Sequence, residues 1–343
     1  MSFDIHVKNF IQAHRLIKKG DVVLIGISGG ADSVALTLVL HKFQYLLGFQ
    51  LHLMYFNHHM AGESKRDEKF IRKLAQTLNL SLTVGEWTRK TISRNISEES
   101  AREARFKFFR QVYKQKKADS IALGHHQDDL AETVLMRIIR GSGSAGVRGI
   151  LPKREIYGCQ FIRPLLNVSR REIEQYLKDN KTPFCTDITN FKTDFFRNKI
   201  RLELLPLLRK TYNPDIASVL INFSQVLTTD YDYIAQQAQK QFARLAKISD
   251  SRVSFNIRSF FRLHPALQRM MVRLAYDKLK GDTRSLEFKH LEAVIQWAQH
   301  GQADESLIKL PHNIVAQRFA QQLIIKMMAA DVKIVLHQKS LKL

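Results

Sequence analysis

Over the first 140 residues, short apolar runs alternate with longer stretches in which apolar residues recur every three or four positions. "VVLIGI" (22 to 27) precedes a helical pattern from about 34 to 47, and "LHLMYF" (51 to 56) precedes one from about 64 to 79. "SLTVGEW" (81 to 87) leads to a helix opening at Ser97, a suitable N-cap with Glu99 and Ser100 in its first turn. "SIALG" (120 to 124) leads to a helix over 128 to 140. Strand and helix in strict alternation predict an α/β fold, a doubly wound parallel sheet with helices on both faces. Ligands of such sheets bind beyond the carboxyl ends of the strands.

From 141 to 168 the pattern turns irregular, through "GSGSAG" and "RGILPKREIYG", before helical periodicity returns over 169 to 179 and 195 to 210. Past "TYNPD" (211 to 215) come long helical stretches near 216 to 247, 259 to 279 and 284 to 300, then "SLIKL", "IVAQRF" and "QLIIKM", which read as short strands. These shifts divide the chain into a domain over 1–210 and a helical region with C-terminal strands over 211–343.

At 343 residues, 45% of them hydrophobic, the chain is long enough for two packed cores. No apolar run reaches the roughly 18 residues that cross a bilayer, and the first twenty carry charges where a signal peptide has its apolar centre. The expectation is a cytoplasmic protein with no membrane partner. Two cysteines, Cys159 and Cys185, without a CxxC pair argue against a disulfide framework, zinc or an iron–sulfur cluster. Lysine and arginine outnumber the acids 54 to 32, a net charge of +22, which suits a polyanionic partner.

"SGGADS" (28 to 33) stands where the first strand meets the first of the alternating helices. Such a seam presents backbone N–H groups at the positive end of a helix dipole, and its glycines let a ligand's oxygens approach the main chain. Ser28, Gly29, Gly30, Ala31, Asp32 and Ser33 therefore form a candidate phosphate loop, with Ser28 and Ser33 adding hydroxyl donors. It has neither the Gly-Lys-Ser/Thr of a Walker A motif nor the Gly-x-Gly-x-x-Gly spacing of a dinucleotide fold. A carboxylate beside phosphates is repulsive unless a cation lies between them, so Asp32 reads as a Mg²⁺ contact. A tight turn capped by Asp or Ser would use the same residues. If 128 to 140 is helical, Asp129 and Glu132 share one face at i and i+3 and suit a cationic substrate, although a solvated charge pair would look the same.

The loop resembles that of the PP-loop ATP pyrophosphatases, which cleave ATP between its α and β phosphates and transfer AMP. "FNHHM" (56 to 60), "EESAREARFKFF" (98 to 109), "GHHQDDLAETVLMRIIRGSG" (124 to 143), "RPLLNVSRREIEQYL" (163 to 177) and "DITNFKTDFFRNKIRLELLPLL" (187 to 208) narrow the likeness. In this order they resemble the bacterial tRNA(Ile)-lysidine synthetase family, over about residues 20 to 215, and "LPHNIVAQRF" resembles its shorter form. The resemblance implies ATP and Mg²⁺ as cofactors, and tRNA(Ile) with a CAU anticodon and free L-lysine as partners. It implies adenylation of the oxygen on carbon 2 of the wobble cytidine, then displacement of AMP by the lysine ε-amine. It places Asp129 and Glu132 on the lysine, and Arg105 and Arg197 near the phosphates and the reacting centre. Glu132 or His125 could take the amine's proton. The oligomeric state stays open, a homodimer included. One departure is visible: His58-His59-Met60-Ala61 stands where the family often has His-Gly-Leu-Arg. Two other functions share the features: a PP-loop tRNA thiolase, which would need a sulfur carrier, and a nucleotide-dependent RNA adaptor without catalysis.

Overall fold

The structure, a computed structural model, describes residues 2–57, 64–86, 98–185, 196–283, 285–300 and 307–328. The expected cap at Ser97 and the 58–61 departure lie outside them. Two compact units are present, one of residues 1–140 and 147–224, the other of 141–146 and 225–343.

The first unit opens with α1 (Phe3–Ala13), which no sequence pattern announced; it buries Val7 and Ile11, and Phe3 stacks on Tyr176 at 4.2 Å. Then follow β1 (Val22–Gly26), α2 (Ala31–Leu47), β2 (Gln50–Asn57), α3 (Ser64–Thr77), β3 (Ser81–Glu86), α4 (Glu98–Gln115), β4 (Ser120–Ala122) and α5 (Gln127–Ile139). The expected alternation is present. Strand β1 is buried through its middle, and α2 buries ten residues, as befits an element packed on a sheet covered from both sides.

The stretch 141 to 168, expected to be irregular, holds a short helix, α6 (Ser144–Val147), and a hairpin of β5 (Lys153–Ile156) and β6 (Cys159–Ile162). The turn residues Tyr157 and Gly158 both have positive φ, as a two-residue hairpin requires. Strand β5 escaped notice because it is an exposed edge of "KREI", whose charges blunt it against further pairing. Strand β6 runs parallel to β4, giving a six-stranded sheet in the order β3-β2-β1-β4-β6-β5, antiparallel only at β5. The direction of winding reverses between β1 and β4, so the loops leaving these two strands flank the crevice where ligands of such sheets sit.

Helix α7 (Arg170–Asp179) starts at Ser169, whose side chain accepts from Glu172 N–H while Glu172 bonds back, a full capping box. The helical stretch near 195 to 210 is α8 (Phe196–Lys199), a π-helical turn (Ile200–Leu204) and α9 (Leu205–Thr211). Helix α10 (Ile216–Leu245) follows.

The second unit carries β7 (Lys247–Ser249), β8 (Arg252–Asn256), α11 (Ile257–Phe261), α12 (Pro265–Lys280), α13 (Phe288–His300), β9 (Leu307–Leu310), β10 (Ile314–Phe319) and β11 (Gln322–Met327). Its antiparallel sheet runs β7-β8-β11-β10-β9, over a core that includes Phe255, Phe260, Tyr276, Leu323 and Ile325. The single helix expected over 259 to 279 is two: Pro265 stands at the first helical position, and His264 Nδ1 accepts from Ala266 N–H at 3.2 Å. Among the described residues no helix is long and apolar enough to cross a membrane.

Candidate active site

The 28–33 loop joins β1 to α2 at the sheet's reversal point. Gly29 has φ +85°, a backbone conformation that a side chain would strain. The Ser33 hydroxyl donates to the Gly30 carbonyl at 2.9 Å and accepts from the Ser28 N–H at 3.1 Å. Ser33 is buried, and through these bonds its hydroxyl fixes the loop's shape. Cys185 N–H donates to the Gly29 carbonyl at 2.9 Å and supports the turn from outside. Helix α2 has Gly30 as N-cap and no side-chain cap, which leaves its first-turn N–H groups for an anion.

Gly124, two residues past β4, lies against this helix start. A Cβ there would come within 3.0 Å of the Asp32 carbonyl carbon and oxygen and 3.1 Å of the Ser33 nitrogen. Gly124→Ala is therefore expected to displace the loop and weaken ATP binding at least tenfold, about 1.4 kcal/mol. Nucleotide titration beside a thermal melt checks this.

Asp32, in the first turn of α2, accepts from Arg170 Nη1 at 2.7 and 2.8 Å through its two oxygens. His126, the N-cap of α5, also faces it, with Nε2 at 3.8 Å. Burial raises the Asp32 pKa despite both cations. The buried His126 ring also lies 3.5 Å from Asp129 through Nε2 and 3.5 Å from Asp128 through Nδ1. Burial opposes its charge, but these acids win and its pKa is raised. The Nδ1 contact with Asp128 is long, 3.5 Å, and joins the two as an ion pair when the ring is protonated.

Asp128 also accepts from the Arg170 N–H at 3.0 Å and from Arg209 Nη2 at 3.1 Å. His126 chiefly, with these two donors, holds its pKa well below the ordinary value. A depressed carboxyl stabilises the fold above its unfolded pKa and ceases to do so as pH falls through the folded one. Asp128→Asn should thus lower the melting temperature at neutral pH, and the deficit should shrink as pH drops below 3.8. Melting curves of both proteins across the acid range test the sign.

Asp129 and Glu132 share one face of α5, as their spacing predicted, and both are buried. Arg197 donates Nη2 to Asp129 Oδ1 at 2.7 Å and Nε to Glu132 Oε2 at 2.9 Å. Arg201 donates Nε to Glu132 Oε1 at 2.6 Å, and Nη2 to Glu132 Oε2 and Asp129 Oδ1 at 3.1 Å each. Asp129 Oδ2 accepts from the His126 N–H at 3.1 Å. Burial alone would raise the Asp129 pKa, but His126 and Arg197 lower it. His125 faces the opposite balance: burial first, then Arg163, Arg197 and Arg105, push its pKa down to about 4, so the ring is neutral at physiological pH. Among the described residues its Nδ1 has no hydrogen-bond partner.

Of the residues singled out from sequence, Asp129, Glu132 and Arg197 are in direct contact, and His126 connects them to Asp32 in the loop. Arg105, on α4, joins through its field at His125. Arg170, Arg201 and His126 complete the cluster and were not singled out as site residues. Arg201 carried one signal, its i+4 spacing from Arg197 in "RNKIR".

A glycine-rich turn at the reversal point of a mostly parallel sheet stands beside a buried acid pair, and the PP-loop domain family matches residues 2–208. A second family, described as the TilS substrate binding domain, matches residues 255–324. The tRNA(Ile)-lysidine synthase of Clostridioides difficile (strain 630) is 33% identical over 330 residues, 95% of this chain and 70% of that protein. That of Caldanaerobacter subterraneus subsp. tengcongensis is 32% identical over 320 residues, 92% of this chain and 67% of that protein. The chain belongs to the tRNA(Ile)-lysidine synthase family. Among solved structures, the U34-tRNA thiolase NcsA from Methanococcus maripaludis with its 4Fe-4S cluster has a TM-score of 0.56 at 18% identity, covering 65% of this chain and 76% of that one, a likeness of fold alone.

Proposed function

We propose that this protein joins lysine to carbon 2 of the wobble cytidine in the CAU anticodon of tRNA(Ile), consuming ATP and releasing AMP and pyrophosphate. The observation that carries the reading is the buried Asp129–Glu132 pair, connected to the phosphate loop by a single histidine. A site that must bring a nucleotide's α-phosphate and a cationic amino acid to one base needs both features within one crevice.

In the first step the 28–33 turn holds the triphosphate by main-chain N–H groups, while the cytidine oxygen attacks the α-phosphate. Arg105 and Arg197 are assigned to the charge that develops as pyrophosphate leaves, a role that guanidinium groups serve well. Among the described residues no cluster of three or more acids, histidines or cysteines is arranged to hold a metal. A lone carboxylate at the loop fits Mg²⁺, which keeps most of its waters and binds through one or two carboxylates and phosphate oxygens. Asp32 would hold that ion, whose chemistry is charge neutralisation of the triphosphate, once Arg170 turns aside.

In the second step Asp129 and Glu132 hold the lysine side chain. An ordinary ammonium is neutral in only about one molecule in a thousand at physiological pH, so its proton must be removed. Glu132 or His125 receives it: both Glu132 oxygens are engaged by arginines, and the neutral His125 ring is a weak base while burial and its arginine neighbours hold its pKa at about 4. The exposed Arg137, Arg140, Lys153 and Arg154 suit RNA phosphates near the site, and 211–343 supplies further tRNA recognition. The cytidine leaves its stack to enter the crevice. Cytoplasmic action follows from the substrates.

Assaying AMP and pyrophosphate release with CAU tRNA(Ile), ATP and Mg²⁺, with and without lysine, tests the reading. Lysine-dependent turnover is expected; nucleotide binding without turnover would instead indicate an RNA adaptor.

A further inference from the structure

Glu132 is 2% exposed and Asp129 8%, and between them they already hold two guanidinium groups. The cluster's two negative charges are therefore balanced before any substrate arrives. A third cation would enter a pocket with no acid left to receive it. We propose that Arg201 is a place-holder for the substrate ammonium, and that lysine binds by displacing it from between Asp129 and Glu132. This inference rests on the lysine-ligating reading given above.

Arg201 shares two features with Arg197, the bridging of both acids and partial exposure, and differs from it by the turn on which it lies. It bridges both acids, reaching Glu132 through Nε and both acids through Nη2, as a substrate ammonium lying between them would have to do. Its side chain is 34% exposed, so water can take the guanidinium once it swings out, whereas the acids it leaves are too deep to be solvated. An unpaired buried carboxylate costs several kcal/mol, so the exchange proceeds only when another cation takes the place. Arg201 lies on the π-helical turn, flanked by the buried Ile200 and Leu205. Such a turn winds with i→i+5 bonds and is found mostly as a single-turn insertion within α-helices, frequently at functional sites. Arg197 precedes this turn and keeps the acids aligned throughout.

The arrangement also explains selection among amino acids. A neutral side chain in place of Arg201 leaves the two buried carboxylates sharing Arg197 alone, one negative charge in excess, so a cation is favoured. Arg201 thus acts as a specificity-determining residue, and lysine affinity is what remains after its displacement.

The test is equilibrium dialysis of labelled L-lysine against the wild-type protein, Arg201→Gln and Arg201→Lys. Arg201→Gln is expected to bind lysine about tenfold more tightly than wild type. Low-millimolar guanidinium ion should reverse that gain by refilling the vacated position, with little effect on wild type. Arg201→Lys, which keeps a cation, should behave like wild type. Equal or weaker lysine binding by Arg201→Gln, or a gain insensitive to guanidinium, overturns the proposal. If the variants do not fold, phenylglyoxal labelling of the wild-type protein decides. Lysine should increase modification of Arg201 as it is expelled into solvent, and protection or no change contradicts the place-holder. Absence of lysine from the tRNA made by wild type would sink the reaction itself. Normal incorporation without tighter binding by Arg201→Gln would sink the place-holder alone.

Discussion

Asp32→Asn is expected to reduce adenylation by about a thousandfold while leaving the fold as stable as wild type, or more so. The two halves of this result have one cause. Burial raises the Asp32 pKa, which means that the folded protein disfavours the charged carboxylate at neutral pH. The carboxylate is kept despite that cost, and a cation shared with the triphosphate is the reason the reading gives. Asparagine has the same shape without the charge, so the cost disappears and the function with it. Arg170 loses one partner but retains Glu174, with Nε at 2.8 Å. Rapid-quench measurement of pyrophosphate release beside thermal melting separates the effects. A variant that adenylates normally, or one that is inactive only because it unfolds, would contradict the assignment.

Glu132→Gln is expected to spare the first step within a few-fold and to lower lysine transfer by about a hundredfold or more. Stability should move in the opposite sense from Asp32→Asn. Glu132 accepts three bonds from two arginines in a nearly sealed position, and removing its charge leaves those guanidiniums facing a neutral amide. A buried pair broken from one side costs about 3 kcal/mol or more, but both arginines are a third exposed, which reduces this to about 2 kcal/mol. The useful measurement is a split one, pyrophosphate release against labelled lysine in tRNA, on the same preparation. Equal loss of both steps at saturating ATP would mean that the acid serves adenylation too.

The parts of the site readable in sequence are those that local chemistry dictates. Glycines and serines between two apolar runs had to form a turn, and a helix after it had to place N–H groups there. Asp129 and Glu132 needed only helical periodicity to share a face. What stayed hidden depends on pairing across the chain: Arg170 meets Asp32 over a separation of 138 residues, and Arg201 meets Glu132 over 69. No periodicity encodes such partners. The π-turn that brings Arg201 to the same acids as Arg197 has no sequence signature of its own. Strand β5 was missed because an edge strand with one packed neighbour does not need an apolar pattern. The break before α12, by contrast, was legible at Pro265, and a continuous helix there overlooked the proline's missing donor.

The most direct measurement is mass analysis of nucleosides from CAU tRNA(Ile) incubated with the protein, ATP, Mg²⁺ and isotopically labelled lysine. The account predicts that the wobble cytidine gains the mass of one lysine less one water, with the label retained. A cytidine carrying sulfur in place of oxygen, or one left unmodified by an active preparation, would contradict it.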